Sequence, residues 1–273
     1  MGAEHRLPPR SARLILAGLL AAGCTAAGGG AEDGTGIGGA GAPDGCDERR
    51  PLVVDLHGYS ETTEQHEQRT GWHAQGAESG FVTFSPQAGG QPSRWDLEVD
   101  PAVLRLQVEA MVEADCVDPD RVYVTGHSMG GFMVSRIACE LSDVVAAVAP
   151  VAGVLPVEDC APVRPVPALV VHGRADTTVP LTGGLSPAAA HLLDLPERGP
   201  SIRAITADWA ARNGCGALAA SSVEGVVAVE RFPCPEGAEV ELRVIDGAGH
   251  EWPAGVTAAI WEFLAPYRLT SVP

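Results

Sequence analysis

Three residues of this 273-residue chain have types and an order suited to nucleophilic attack on a carbonyl: Ser128, Asp176 and His250. Ser128 is the centre of GHSMGG (126–131), a G-x-S-x-G pattern that 33 glycines could supply by chance, so its context has to decide. RVYVT (121–125) runs into it as a strand, and FMVSRIACEL (132–141) leaves it with Phe132, Met133, Ile137, Ala138 and Leu141 at helical spacing. Strand, sharp turn and helix place a serine in a strained backbone conformation at a helix N-terminus, with its Oγ exposed and amides aimed at a developing oxyanion. A Cβ at Gly126 or Gly130 would collide with the neighbouring strand or helix. The chain has no lysine, which excludes a lysine-bearing phosphate loop.

A serine hydroxyl is a weak nucleophile and needs a base. In the chain order serine, acid, histidine, only His172, His191 and His250 of the eight histidines follow in sequence. His172 precedes its own plausible acid, His191 lies outside any strand end, and His250 in GAGHEW follows the strand-like VELRVI (240–245). His127 sits inside the turn and cannot easily fold back on its neighbour. Asp176 in HGRADTTVP lies just past VPALVVH (166–172), where a carboxylate can hold the imidazole tautomer and stabilise the imidazolium; Asp246 and Asp208 are its rivals. The backbone N–H groups of Tyr59, in LHGYS (56–60), and of Met129 would complete an oxyanion hole, with His57 anchoring that loop. Trp95 in SRWD and Trp252 in HEWP flank the expected pocket; each could stack on an aromatic acyl group or pack beneath a loop.

The elements that must position these residues alternate. Strand-like runs at 51–56, 81–84, 121–125, 144–150, 166–172 and 240–245 are mostly continuous in apolar character, as a parallel sheet buried on both faces requires. Helices are predicted over 101–115 behind Asp100-Pro101, 130–141, 201–213 behind Ser201, and 255–265. This is an α/β pattern: a mostly parallel, doubly wound sheet with helices on both faces. Segments 174–200 and 214–239, rich in Gly, Pro and Ala or carrying two Cys and two Pro, read as loops or small insertions that shape a pocket at the strand ends.

Composition bounds the partners. The 18 basic residues are all Arg against 35 acidic ones, and a net charge of −17 repels phosphate backbones, so nucleic acid is excluded as a partner. No C-x-x-C or H-E-x-x-H occurs and no metal or other cofactor is expected; DPD (118–120) reads as a turn before a strand rather than a calcium site. Residues 1–24 read as an export signal: Arg6, Arg10 and Arg13, an apolar run from Leu14 to Ala22, then LAAGC, which resembles a lipobox with Cys24 as the lipidated residue, ordinary signal cleavage and secretion being the alternative. Residues 25–45 are a Gly-rich linker of about 25 Å mean span, so the only membrane contact expected is through that N-terminal anchor, before a catalytic domain over 46–273. In an exported chain the six remaining cysteines favour disulfides. Sequence proximity suggests Cys139 with Cys160 and Cys215 with Cys234, leaving Cys46 with Cys116; 15 connectivities are possible and sequence alone does not choose.

Taken together, LHGYS, CVDPDRVYVTGHSMGGFMVSRIACE, VAPVAG, VPALVVHGRADTTVP, WAARNGC and GAGHEWPAG resemble, in order over roughly 50–265, the secreted polyhydroxybutyrate depolymerase and feruloyl esterase-like branch of the α/β-hydrolases. The resemblance implies the α/β-hydrolase fold and a serine esterase acting on small or oligomeric esters, with Ser128, Asp176 and His250 as its triad. It fits the pairs Cys139–Cys160 and Cys215–Cys234. Members often carry Ser-Asn-Gly-Gly where this chain has Ser128-Met129-Gly130-Gly131. A serine peptidase of the same fold and a non-catalytic surface lipoprotein are the alternative readings.

Overall fold

The computed structural model describes residues 48–114, 116–218 and 220–269. The export signal, Cys24, the linker and Cys46 therefore lie outside the described residues. In chain order the elements are β1 (Arg50–Leu56), α1 (Thr63–Thr70), α2 (Trp72–Ser79), β2 (Val82–Phe84), α3 (Asp100–Ala114), β3 (Val117–His127), α4 (Met129–Glu140), β4 (Ala147–Val151), β5 (Ala168–Gly173), α5 (Pro187–Leu193), α6 (Ile202–Arg212), β6 (Ala220–Glu224), β7 (Val227–Arg231), β8 (Val240–Ile245) and α7 (Val256–Leu264).

They build one sheet in the order β2-β1-β3-β4-β5-β8-β7-β6. The first six strands are parallel, and β7 and β6 continue from β8 antiparallel. Alternation along β1 shows why both faces carry helices. Leu52, Val54 and Leu56 pack with α3, α4 and α6 through Leu104, Phe132, Met133, Ile137, Ile205 and Trp209. Val53 faces the other way, into a cluster with Trp72 of α2 and Val256, Ile260 and Leu264 of α7. Side chains of this size contribute about 1.5–3 kcal/mol each when fully buried.

Helix α1 breaks that pattern, with only His66 and Thr70 buried on it. A capping box starts it: the Gln65 amide donates to Thr62 Oγ1 at 3.2 Å, and the Thr62 amide donates to Gln65 Oε1 at 3.0 Å. It docks through Asp55, fully buried on the Val53 face of β1. His66 Nε2 donates to Asp55 Oδ1 at 2.9 Å and Thr70 Oγ1 to Oδ2 at 3.0 Å.

Segments 174–200 and 214–239, expected as loops or small insertions, carry regular structure of their own. The first contains α5, capped by the Ser186 hydroxyl with Pro187 in its first turn. The second contains the β6–β7 hairpin, whose two-residue turn opens on Gly225 at φ 65° and extends the sheet rather than decorating its end. Strand β3 also starts earlier than expected, because Val117 pairs with Arg50 of β1 across a register shift and the Arg50 amide donates to Cys116 O at 2.9 Å. Cys139–Cys160 and Cys215–Cys234 are both disulfide-bonded, and each closes a loop worth about 3 kcal/mol in the chain-entropy picture. Cys116 is disulfide-bonded as well.

Two stability predictions follow from this packing. A Cβ on Gly130 would stand 2.0 Å from Leu56 O, whereas one on Gly89 would meet nothing within 4 Å. Gly130→Ala should therefore lower the melting temperature by roughly 5–10 °C and Gly89→Ala by about 1 °C or less, read by calorimetry. His66 supplies the second. Burial alone would lower its pKa, but hydrogen bonds to Asp55 and Glu61 and their charges carry it up to about 9. A raised folded-state pKa means stability that is complete below the unfolded value of about 6.5 and is lost as pH climbs towards about 9. The melting temperature should fall by several degrees across that window, and His66→Gln should flatten the slope.

Candidate active site

Ser128 sits between the end of β3 and the first residue of α4, at φ 55° and ψ −115°. Its backbone is pinned on both sides, the amide donating to Val151 O at 2.9 Å and the carbonyl accepting from the Phe132 amide at 3.0 Å. The side chain does not cap α4, so Oγ is free to point elsewhere. It meets His250, on the loop after β8, with Oγ and Nε2 2.8 Å apart. On its other edge His250 Nδ1 lies 2.8 Å from Asp176 Oδ2, on the loop after β5. Strands β3, β4, β5 and β8 are consecutive in the sheet, so all three side chains arrive at the carboxyl ends of neighbouring strands.

Hydrogen bonding orders this chain of groups. Asp176 is buried, and its Oδ1 accepts the Thr178 and Val179 amides at 2.8 Å each. Burial favours its neutral form, but hydrogen bonds from His250 and the Val179 amide outweigh that and hold the carboxyl below its ordinary range. An ionised Asp176 only accepts, so His250 Nδ1 carries the proton and Nε2 is left to accept from Ser128 Oγ–H. The rival acids are engaged elsewhere: Asp246 pairs with Arg174 and Asp208 with Arg212, both on the surface. His172 donates to Val179 O at 2.8 Å, and burial lowers its pKa, so it stays neutral beside Asp176. His127 lies with its ring 5.2 Å from that of His250; burial, then the Arg69 charge, holds it well below its ordinary value and neutral.

The turn after β1 closes the site from the other side. A Cβ on Gly58 would lie 3.6 Å from Ser128 Cβ, so this turn rests directly on the serine. His57 anchors it as expected: Nδ1 donates to Gly58 O at 2.7 Å and Nε2 accepts the Ala88 amide at 2.9 Å. Among the described residues neither the Tyr59 amide nor the Met129 amide donates to a protein acceptor, and Tyr59 lines the cleft.

The cleft has a volume of about 670 Å³ and opens on Ser128 and His250. Glu61, Gln65, Gln68 and Arg69 form its polar wall, and Ala189, Leu192 and Leu193 of α5 its apolar one. Trp95 and Trp252, named as possible acyl contacts, are not among the lining residues. Trp95 is 2% exposed and donates to His57 O at 2.8 Å; Trp252 is 7% exposed and donates to Thr257 Oγ1 at 2.9 Å. Both indoles therefore pack beneath the loops that carry the site. The residues of both walls went unnoticed in the sequence, although Thr62 with Gln65 is a capping-box signal and Ser186-Pro187 before AAAHLL a helix start.

Known proteins resemble this chain in sequence and in fold. A sequence profile of the prolyl oligopeptidase family matches residues 106–161, the segment around Ser128. NocK, a provisionally assigned esterase of Nocardia uniformis subsp. tsuyamanensis, is 32% identical over 234 residues, covering 76% of this chain and 67% of that one. Feruloyl esterase B of Piromyces equi is 30% identical over 82% of this chain, which spans only 43% of that enzyme. In fold, the acetyl xylan esterase of Aspergillus awamori superposes with a TM-score of 0.57 at 16% identity, over 82% of this chain and 92% of that one. A serine turn, a buried acid and a strand-end histidine on this sheet, with relatives of that kind, assign the chain to the α/β-hydrolases: it belongs to the polyhydroxybutyrate depolymerase and feruloyl esterase-like family of serine carboxylic ester hydrolases.

Proposed function

We propose that this protein hydrolyses carboxylic esters through an acyl-enzyme on Ser128. The observation that carries the reading is the continuous hydrogen-bonded chain from Ser128 Oγ through His250 to Asp176, at 2.8 Å for each link and open to the cleft. Ser128 attacks the ester carbonyl as His250 Nε2 takes its proton, while Asp176 steadies the resulting imidazolium. The amides of Tyr59 and Met129 receive the oxyanion. Collapse expels the alcohol, protonated by His250. Water activated by the same imidazole then releases the acid.

The walls of the cleft support the choice of substrate. Ala189, Leu192 and Leu193 offer an apolar surface for an acyl group, and the glutamines and Tyr59 a hydrogen-bonding surface for a hydroxylated alcohol. Hydroxycinnamoyl, hydroxyalkanoate and short acyl esters all meet that description, and relatives named for feruloyl esters and poly(3-hydroxyalkanoate) lie on either side of it. The protein is further proposed to be exported and held at a membrane through Cys24. The disulfides among its described cysteines support an oxidising compartment.

The test is a panel of p-nitrophenyl esters, methyl ferulate, hydroxybutyrate oligomers and aminoacyl arylamides. Ester turnover should exceed amide turnover, fall about a millionfold in Ser128→Ala, and fall about ten-thousandfold in Asp176→Asn, where the imidazole loses its tautomer. The rate should also drop on acidification as the imidazole base is protonated; a flat profile from pH 5 to 8 would argue for another base. For the anchor, metabolic labelling with a palmitate analogue should mark the wild type and not Cys24→Ser; equal labelling of both would remove the lipoprotein reading.

A further inference from the structure

One carboxylate at the cleft has no part in the proposed chemistry. Glu61 is only 12% exposed, and Arg69 grips both of its oxygens, at 2.6 and 2.8 Å. His66 Nδ1 stands 3.3 Å from Oε2 and is itself fixed on the buried Asp55. The backbone of Glu61 is held too, its carbonyl accepting from Ser93 Oγ at 2.8 Å and Gln87 Nε2 at 3.2 Å. What this clamped carboxylate holds in turn is the Gly58 amide, at 3.0 Å from Oε2.

That bond selects among three successive amides. Gly58 N–H is taken by Glu61, and Ser60 N–H donates to Ser93 O at 2.8 Å. Only the amide between them, that of Tyr59, is left without a protein acceptor among the described residues, on the turn that rests against Ser128. We propose that Glu61 is the positioning residue of this turn: by capturing the Gly58 amide while clamped by Arg69 and His66, it presents the Tyr59 amide to the oxyanion. A charge-assisted bond suits the task, because it is shorter and stronger than a neutral one. Burial would raise this carboxyl, but hydrogen bonds from His66, Arg69 and the Gly58 amide bring it to about 2, so it stays ionised throughout the working range of a histidine base.

The inference rests on the esterase reading, and its test separates the two. Glu61→Gln keeps an oxygen for the Gly58 amide but loses the charge, whereas Glu61→Ala loses both. With p-nitrophenyl acetate, kcat should fall about tenfold and about a hundredfold respectively, with KM within about twofold of wild type. Affinity for a trifluoromethyl ketone, whose adduct carries the oxyanion, should fall by the same factors, while affinity for the matching planar amide should not change. An ion pair with a merely structural role would lower the melting temperature and leave that ratio untouched. Folded variants with kcat within about twofold of wild type, or with both inhibitors weakened equally, overturn the proposal; if Glu61→Ala does not fold, Glu61→Gln decides by the same criteria. Wild-type protein with no Ser128-dependent turnover and no ketone adduct overturns the esterase reading itself, and the proposal with it.

Discussion

The site depends on one close approach of backbone to backbone. At Gly130 the first turn of α4 lies so near the end of β1 that an added Cβ would stand 2.0 Å from Leu56 O and 2.8 Å from His57 O. Gly126 shares the junction, since a Cβ there would lie 2.7 Å from Gly130 C and 2.9 Å from Leu56 Cβ. Contacts this tight leave little room for relative movement, as cores resist even small changes of volume. Their consequence is chemical. The serine at the head of α4 and the end of β1 become parts of one rigid joint, from which the Gly58–Tyr59 turn departs.

Polar groups extend the joint outward. Asp55 and His66 are both fully buried, and with Glu61 and Arg69 they bring two carboxylates and two cations behind the site. A buried ionic group is poor evidence for stability, because desolvation consumes most of the Coulomb gain. Beyond its pH-dependent share of stability, its contribution here is geometric. Through Asp55 and Thr70 it fixes α1 on β1, and the Thr70 carbonyl accepts from Thr257 Oγ1, which in turn accepts from Trp252 on the His250 loop. A helix with almost no apolar face thus connects the turn after β1 to the loop that carries His250.

This division explains what could be read from the sequence. The parallel strands, α4 and the serine turn were legible because continuous apolar runs, helical spacing and paired glycines are local signals of burial and close approach. Ser128, Asp176 and His250 were legible for a related reason: each follows a strand-like run, and the carboxyl ends of the strands are where such a sheet gathers a site. Helix α1 was not, since TEQHEQRT buries only His66 and Thr70 and its anchor, Asp55, lies inside an apolar strand where a carboxylate gives no periodic signal. Helix α5 and the β6–β7 hairpin had local signals, in Ser186-Pro187 and in Gly225 between β-branched runs, that composition rich in Gly, Pro and Ala concealed. For Trp95 and Trp252 the sequence left two readings open, because proximity in sequence to a loop does not say which side of the loop a ring occupies.

The serine turn and the walls of the cleft therefore sit on segments under different constraints. Gly126 and Gly130 sit at backbone contacts that leave no room for a Cβ, so substitution there acts on the fold and the site together. The apolar wall is helix α5, carried on an insertion between β5 and α6 and tied back by backbone bonds such as Leu185 N to Glu197 O at 3.0 Å. Leu192 remains 51% exposed on it, so its replacement would alter the cleft without opening a cavity in the core. The polar wall, α1, is freer still on its outward side, where Gln65 and Gln68 face the cleft while His66 and Thr70 hold the helix down. The two walls of the cleft can thus vary while the joint between β1 and α4 stays unchanged.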